Sequence, residues 1–204
     1  MDGSGQLGSI IALTMGSAWA SGINLYATVL VLGLMAANDV MPLPPGLQML
    51  AHPWVIGAAG CMYVVEFFAD KVPGVDTVWD TLHTLIRIPA GAILAAAAAG
   101  QTDPVLTIAA GLAGGTVSAG SHALKAGTRA MVNVSPEPVS NWALSLGEDV
   151  AVIGGIWAAL NYPRLFLFLF CCFLVLTIWA VPRIWRGIAH IVRRLGAMCR
   201  SFSL

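Results

Sequence analysis

Charged residues are scarce in this sequence. Only 10% of its 204 residues are Asp, Glu, Lys or Arg, whereas about a quarter is usual in soluble domains. Ten acids balance ten bases, so the chain lacks the positive excess that neutralises nucleic-acid phosphates. Hydrophobic residues make up 58% of the chain, and the mean hydropathy is +0.82. These values argue against soluble, disordered and nucleic-acid-binding proteins and indicate an integral membrane protein in contact with the lipid bilayer.

Motifs of catalysis and metal binding are also missing. The four cysteines show no C-x-x-C spacing and are typical of small buried hydrophobes. The glycine-spaced Asp motif of membrane phosphotransferases is absent. The segment 118–122 contains a Ser and a His, but adjacent residues such as Ser121 and His122 do not face each other on a helix as nucleophile and base. The sequence therefore predicts no metal site, no cofactor and no catalytic residue, and it favours a protein that is not an enzyme.

Six apolar segments are long enough, or nearly so, to cross the bilayer as helices, which takes about 20 residues each. They predict an all-α fold, a polytopic membrane helix bundle. A single membrane domain covers 1–182, with one half at about 7–100 and the other at about 104–182, and a basic cytoplasmic tail covers 183–204. The segments are 7–37, 53–70, 88–100, 104–126, 139–161 and 163–182.

Two of these segments have irregular features. The first is longer than a span needs and contains Gly16, Gly22 and Asn24, which indicates a tilt or a break. The third has only thirteen residues, fewer than the hydrocarbon core requires. It can still cross if its helix begins within the preceding segment.

Basic residues favour six spans with both termini in the cytoplasm. In that arrangement only Arg164 lies outside, as the positive-inside bias requires. A five-span alternative places seven basic residues inside and three outside. The nine cytoplasmic residues of the six-span arrangement are Lys71, Arg87, Lys125, Arg129, Arg183, Arg186, Arg193, Arg194 and Arg200.

The segment near 75–87 has the pattern of an amphipathic helix. We expect it to lie at the membrane interface or to enter the membrane as a re-entrant element. We expect its polar face to be solvated; a metal site there is less favoured because Arg87 would compete with a cation. The apolar face carries Val75, Val78, Trp79, Leu82 and Ile86, and the polar face carries Asp76, Asp80, His83 and Arg87.

Acids within the apolar segments identify a candidate site. Glu66, Glu148 and Asp149 lie where ionised side chains are costly and are usually functional. We expect them to meet basic and polar groups in a cavity that binds a substrate or an ion; the alternative is a structural ion-pair network. Asp70, Lys71 and Arg129 are expected to reach the cytoplasmic interface. The predicted binding residues are Asn24, Glu66, Asp70, His122, Lys125, Glu148 and Asp149.

A weak internal repeat relates the two halves. Similar small-Gly-x-polar steps occur at 21–24 and 119–122, and each is followed one segment later by an acid, Glu66 or Glu148. Three spans separate the units, as in 3+3 inverted-repeat transporters. Small residues four apart at 91–99 and 111–119 predict close helix packing, with a homodimer contact as the alternative.

Several motifs together resemble an uncharacterised family, domain of unknown function forty-one twenty-six. The resemblance covers about residues 8–160, and the last span looks more individual. It implies a polytopic protein of the bacterial inner membrane and no known activity. The motifs are Ser21–Tyr26, Glu66–Pro73 with Asp76, Trp79 and Asp80, Arg87–Gly91, Ser135–Pro138 and Ser140–Asn141.

Three hypotheses of function follow from the sequence. The first is a small transporter or channel-like protein that moves a small polar solute, ion or lipid headgroup through the candidate site. The second is a membrane scaffold that binds anionic lipid or a cytoplasmic protein through the amphipathic helix and the basic tail. The third is an enzyme acting on lipid phosphate, which would need Asp76, Asp80 and Arg87 to face a cavity.

Overall fold

The computed structural model describes residues 3–100, 103–133 and 138–201, and its regular structure is entirely helical in this part of the chain. Residues 134–137, with most of the Ser135–Pro138 motif, lie outside the described residues. The helices are α1 (Gly3–Ile23), α2 (Leu25–Ala37), a 3₁₀ helix (Pro45–Ala51), α3 (Pro53–Ala69), α4 (Val75–Ala99), α5 (Pro104–Val132), α6 (Pro138–Asn161) and α7 (Pro163–Ser201).

Several helices are compatible with a membrane protein. Among the described residues, α4, α6 and α7 are long and apolar enough to cross a bilayer. The 3₁₀ helix and α3 together make a fourth candidate, bent by 69°. Length and hydropathy alone thus do not confirm six spans. One reason is that α5 combines Lys125 and Arg129 with many glycines and hydroxyl residues, which lower its hydropathy.

Polar and apolar side chains are distributed as in a protein surrounded by lipid. Large apolar side chains such as Trp54, Leu85 and Ile178 are exposed by 76–83%, whereas Arg87 and Arg129 have no exposed surface. In water, this distribution would expose large apolar surfaces while desolvating the charges. Apolar surroundings and a polar interior make this distribution of side chains favourable.

Helix α4 corrects the interpretation of 75–87 as a separate interfacial or re-entrant element. The amphipathic half and the short apolar stretch 88–99 form one continuous helix of 25 residues. The polar face is buried and Leu82 on the apolar face is 63% exposed, so the expectation of a solvated polar face is wrong. The apolar face suits lipid and the polar face meets charged partners inside the bundle.

The first apolar segment is broken at Asn24, as its composition indicated. Asn24 leaves helical geometry, with φ −145° and ψ 98°, and its side-chain oxygen caps α2 by accepting a hydrogen bond from the Ala27 amide at 2.9 Å. An Asn at this position satisfies one of the amide groups that a helix start leaves without a partner. The break brings a polar side chain into the centre of the bundle.

Small residues allow the helices at the centre to approach closely. Helix α1 contacts α4, α5, α6 and α7. A Cβ atom at Gly91 of α4 would meet the Ser118 side chain of α5, and one at Gly114 would meet Ala95. The small-residue faces therefore pack against each other within the chain, and the homodimer contact proposed for them is not supported.

Candidate functional site

The interior of the bundle contains a network of ion pairs, which we call the charge cluster. Each member lies within 4.0 Å of an oppositely charged member. The side chains come from α3 and the turn after it, from α4, α5 and α6. The members are Glu66, Asp70, Asp76, Asp80 and Glu148 as acids and Arg87, Lys125 and Arg129 as bases.

Arg87 of α4 links two acids on neighbouring helices. Its Nη2 donates to Glu66 Oε1 at 2.6 Å, and its Nη1 donates to Asp80 Oδ1 at 2.8 Å. Nη1 also lies 3.3 Å from His122 Nδ1. Because a guanidinium only donates, His122 accepts through Nδ1 and donates through Nε2 to Thr84 Oγ1 at 2.7 Å. Arg87 thus fixes both carboxylates and the imidazole.

Lys125 of α5 uses all three of its donors inside the protein. Its Nζ donates to Asp70 Oδ2 at 2.9 Å, to the Ile23 carbonyl at 3.0 Å and to Glu66 Oε1 at 3.4 Å. The Ile23 carbonyl lies at the end of α1, next to the break at Asn24. The ammonium therefore connects the helix break with the acids of α3 and the turn after it.

Arg129, one helical turn beyond Lys125, joins acids from three parts of the chain. It donates to the Asp70 carbonyl at 2.6 Å, to Asp70 Oδ2 at 3.1 Å and to Glu148 Oε2. Its Nη1 lies 3.6 Å from Asp76 Oδ2. Asp76 also accepts from the Asn133 amide at 2.8 Å, so the start of α4 and the end of α5 are held together.

Two further charged residues flank the charge cluster. Asp149 Oδ1 accepts a hydrogen bond from Asn24 Nδ2 at 3.1 Å. Lys71 donates to Ser145 Oγ at 3.2 Å and lies over the Phe67 ring. Lys71 follows α3 and precedes α4; burial lowers the pKa of its ammonium, while Asp149 and Asp70 act in the opposite direction.

Acids outnumber bases in this part of the protein. The charge cluster holds five carboxylates and three cations. Asp149 and Lys71 add one of each, so two carboxylates remain in formal excess. Buried carboxylate charge without a matching cation is costly, so the arrangement is suited to taking up protons or a cation.

All seven predicted binding residues lie in or beside the charge cluster. Four are members of it, His122 contacts Arg87, and Asn24 and Asp149 form the flanking hydrogen bond. Asp70, Lys71 and Arg129, which are expected to reach the cytoplasmic interface, are buried within the bundle, with exposed fractions of 3%, 5% and 0%. They are buried because they are ion-paired or hydrogen-bonded to other helices.

Sequence reasoning missed Asp76, Asp80, Arg87 and Arg129 as members of the site. The signal for Asp76, Asp80 and Arg87 is the polar face of α4, which we expected to face water. Arg129 belongs to α5, and we expected it at the cytoplasmic interface. Within the described residues, no group of three or more His, Cys, Asp or Glu side chains could hold a metal ion. Asp76, Asp80 and Arg87, which the hypothesis of a lipid-phosphate enzyme needs at a cavity, are buried, and Arg87 is ion-paired with Glu66 and Asp80.

Comparison with known proteins gives a family and no activity. The chain belongs to the family described as Domain of unknown function (DUF4126), whose model matches residues 11–183. The match includes the last apolar helix up to residue 183, which the resemblance had placed outside the shared region. No curated protein and no solved structure shows significant similarity to the chain.

Proposed function

We propose that the protein is a small membrane transporter that moves a proton, together with a small polar solute or ion, through the charge cluster. The observation that carries this proposal is the excess of buried carboxylates in the interior of a bundle with an apolar surface. Charged groups within a membrane usually line a substrate or proton path, because burying them without a function is costly.

Asp149 is the residue that we assign to the moving proton. Each acid of the charge cluster has a cation within 4.0 Å, whereas the hydrogen bond to Asp149 comes from the neutral amide of Asn24. Its other oxygen, Oδ2, is buried and has no hydrogen-bond partner among the described residues. An amide can serve both as donor to a carboxylate and as acceptor for a carboxylic acid, so Asn24 can hold either protonation state.

The broken helix and the two related motifs support a transporter architecture. Transporters with inverted repeats bind their substrates where broken helices meet near the midplane. Here the break at Asn24 adjoins the charge cluster, and a Cβ at Gly22 of the first motif would meet Ser121 of the second. We therefore retain the 3+3 inverted repeat as part of the proposal.

We also propose six crossings, with α1 and α2 forming one crossing and α3 to α7 one each. The distribution of basic residues favours both termini in the cytoplasm. The resemblance to the family implies the inner membrane of a bacterium. In this orientation, Asp70 and Arg129 lie on the cytoplasmic side of the charge cluster.

Proton uptake into proteoliposomes tests the proposal. Vesicles with an internal pH-sensitive dye receive an inside-negative potassium diffusion potential, with and without external amino acids, sugars or inorganic ions. We expect acidification above that of protein-free vesicles, and a loss of about tenfold or more in Asp149→Asn because the proton carrier is removed. Asn preserves the shape of the side chain, and monodisperse elution checks its folding.

Asp39→Asn provides the matched control for this substitution. Asp39 is exposed and has a positive φ of 53°, which Asn tolerates. Its flux should equal that of the wild type. Flux that survives in Asp149→Asn would overturn the assignment of the proton site. A proton flux no greater than that of protein-free vesicles under every condition would overturn the proposal that the protein is a transporter.

A second candidate function is a membrane scaffold, favoured by helix α7. This helix continues without interruption for 39 residues, through the basic tail to Ser201. The exposed Arg183, Arg186 and Arg193 follow one face of it, a pattern that attracts anionic lipid headgroups. Salt-sensitive capture of a cytoplasmic protein in the absence of any flux would favour the scaffold.

A further inference from the structure

A groove on the surface of the bundle leads from the lipid side to the charge cluster. It lies between α5, α6 and α7 and has a volume of about 370 Å³. Most of its wall is apolar, including Leu124, Leu144, Phe173 and Ile184, and its charged lining residues are Lys125 and Glu148. This volume lies in the range of sites for small molecules, about 300–1,000 Å³.

Glu148 is the charged group that the groove makes accessible. Its side chain is 12% exposed, compared with 1% for Lys125 and 0% for Arg129. Within the described residues its ion pairs use Oε2 alone, so Oε1 remains available as an acceptor. Glu148 is thus the outermost member of the charge cluster on this side.

The other polar groups of the groove are already engaged within the protein. Ser121 Oγ donates to the Trp19 carbonyl at 3.0 Å, and Thr128 Oγ1 donates to the Lys125 carbonyl at 2.8 Å. All three Lys125 donors are used by Ile23, Glu66 and Asp70. An anion entering the groove would therefore find no free donor from these residues, whereas a cation would find a carboxylate oxygen.

We propose that this groove binds a hydrophobic organic cation, with the positive charge at Glu148 and the apolar body along α7. Two observations select this class: the apolar wall favours an apolar body, and the excess of two carboxylates favours positive charge. As a transport substrate the cation rests on the proposed function, whose small polar solute or ion it narrows to a hydrophobic organic cation. Binding itself is measured without a gradient.

Equilibrium binding of radiolabelled tetraphenylphosphonium to the full chain in lipid nanodiscs tests the proposal, with binding to empty nanodiscs subtracted. Tetraphenylborate, an anion of nearly the same shape, is the matched ligand control. We expect saturable binding of the cation and none of the anion. Glu148→Gln should weaken binding by about tenfold or more, because the acceptor loses its charge.

Two substitutions on α7 separate occupation of the groove from effects on the ion pairs. Ala180 lines the groove and is 9% exposed, whereas Ile178 is 76% exposed. Ala180→Phe should fill the groove and weaken binding about as much as Glu148→Gln. Ile178→Phe, on the lipid-facing side, should leave binding unchanged. Ala180→Phe keeps the test valid if Glu148→Gln does not fold.

The outcomes distinguish this inference from the proposed function. Three results would each overturn the proposal that the groove binds a hydrophobic organic cation. They are the absence of saturable binding, equal binding of tetraphenylborate, and binding that Ala180→Phe does not change. If proton flux nevertheless depends on Asp149, the transporter stands and only the substrate class fails. Binding that depends on Glu148 and Ala180 without any proton flux would keep the groove assignment and overturn proton-coupled transport.

Discussion

Arg129 shows why a buried charge is tolerated in this protein. Its guanidinium contacts Asp70 after α3, Asp76 at the start of α4 and Glu148 in α6. Desolvating two charges costs several kcal/mol per ion, which close pairing and additional hydrogen bonds offset. Asp80 Oδ2 also lies 4.0 Å from the Arg129 Nε. Because the acids are already in excess, removal of this cation would leave four carboxylates with fewer partners. Its effect on stability should therefore exceed that of removing a surface charge.

We predict that Arg129→Gln lowers the free energy of unfolding by about 3–5 kcal/mol, the usual cost of breaking a buried ion pair from one side. The measurement is the apparent Tm of purified protein in detergent, followed by tryptophan fluorescence. Arg164→Gln is the control, because Arg164 is exposed at the start of α7, and its Tm should change little. Equal Tm values for the two variants would contradict the stabilising role of the ion pairs.

Sequence reasoning at the residue scale identified acids better than bases. Glu66, Glu148 and Asp149 lie within apolar stretches. Because an ionised carboxylate is costly to bury in lipid, their positions alone indicate a functional or paired role. Arg87 and Arg129 lie near the ends of such stretches, where an arginine ordinarily extends to the interface. Only the contacts among α3, α4, α5 and α6 show that these side chains turn inward. Nothing in the local sequence of α5 specifies that Arg129 meets Asp70.

Helix α4 shows what the sequence can and cannot predict at the level of elements. The apolar and polar residues in its first half repeat with the 3.6-residue period of a helix, and this pattern correctly separates two faces. The pattern can be found from the sequence alone. Which face is buried depends on the surroundings: in water the apolar face packs inward, and in lipid it can face outward. Val78 is 60% exposed and Asp80 is 1% exposed. The sequence correctly predicted which residues share a face of α4, but the prediction that the polar face is solvated was wrong.

The contact between α1 and α5 gives a prediction about packing. A Cβ at Gly22 would meet Ser121 Oγ and the Ser118 carbonyl oxygen, whereas one at Gly8 of the same helix would meet nothing within 4 Å. Backbone cannot move aside as a flexible side chain can, so Gly22→Ala should destabilise the protein by about 1–3 kcal/mol. Gly8→Ala should have no such effect and should slightly favour the helix.

Thermal unfolding of these two variants and a proton-flux measurement check this packing prediction. Gly22→Ala should lower the apparent Tm and also the flux, because displacement of α1 from α5 moves the Ile23 carbonyl away from Lys125. A Gly22→Ala protein as stable as Gly8→Ala would show that the two helices do not approach as closely as described.

At the scale of the whole molecule, charge and hydropathy act in different ways. Hydropathy alone selects three helices, or four with the bent pair, because it penalises the buried charges of α5. The positive-inside bias counts the same residues as evidence of orientation and favours six crossings. The two criteria disagree over the crossing formed by α1 and α2 and over α5, and also over α3 if the bent pair is not one span. Helices α3 and α5 contribute Glu66, Lys125 and Arg129 to the charge cluster. A topology measurement can decide between them.

We predict that alkaline phosphatase, which is active only outside the cytoplasm, will alternate in activity when fused after successive helices. Six crossings place the charge cluster within the bilayer. Successive fusion sites then lie on opposite sides of the membrane, so the phosphatase activity of each fusion should differ from that of the next. Green fluorescent protein at the same positions should give the opposite pattern and controls for expression. Phosphatase should be active after Val40, Gly100 and Asn161 and inactive after Gly74, Asn133 and Leu204.

Equal activity after Val40 and Gly74 would show that α3 does not cross, and equal activity after Gly100 and Asn133 would show the same for α5. Either result would place part of the charge cluster outside the bilayer and remove the basis for an intramembrane proton path.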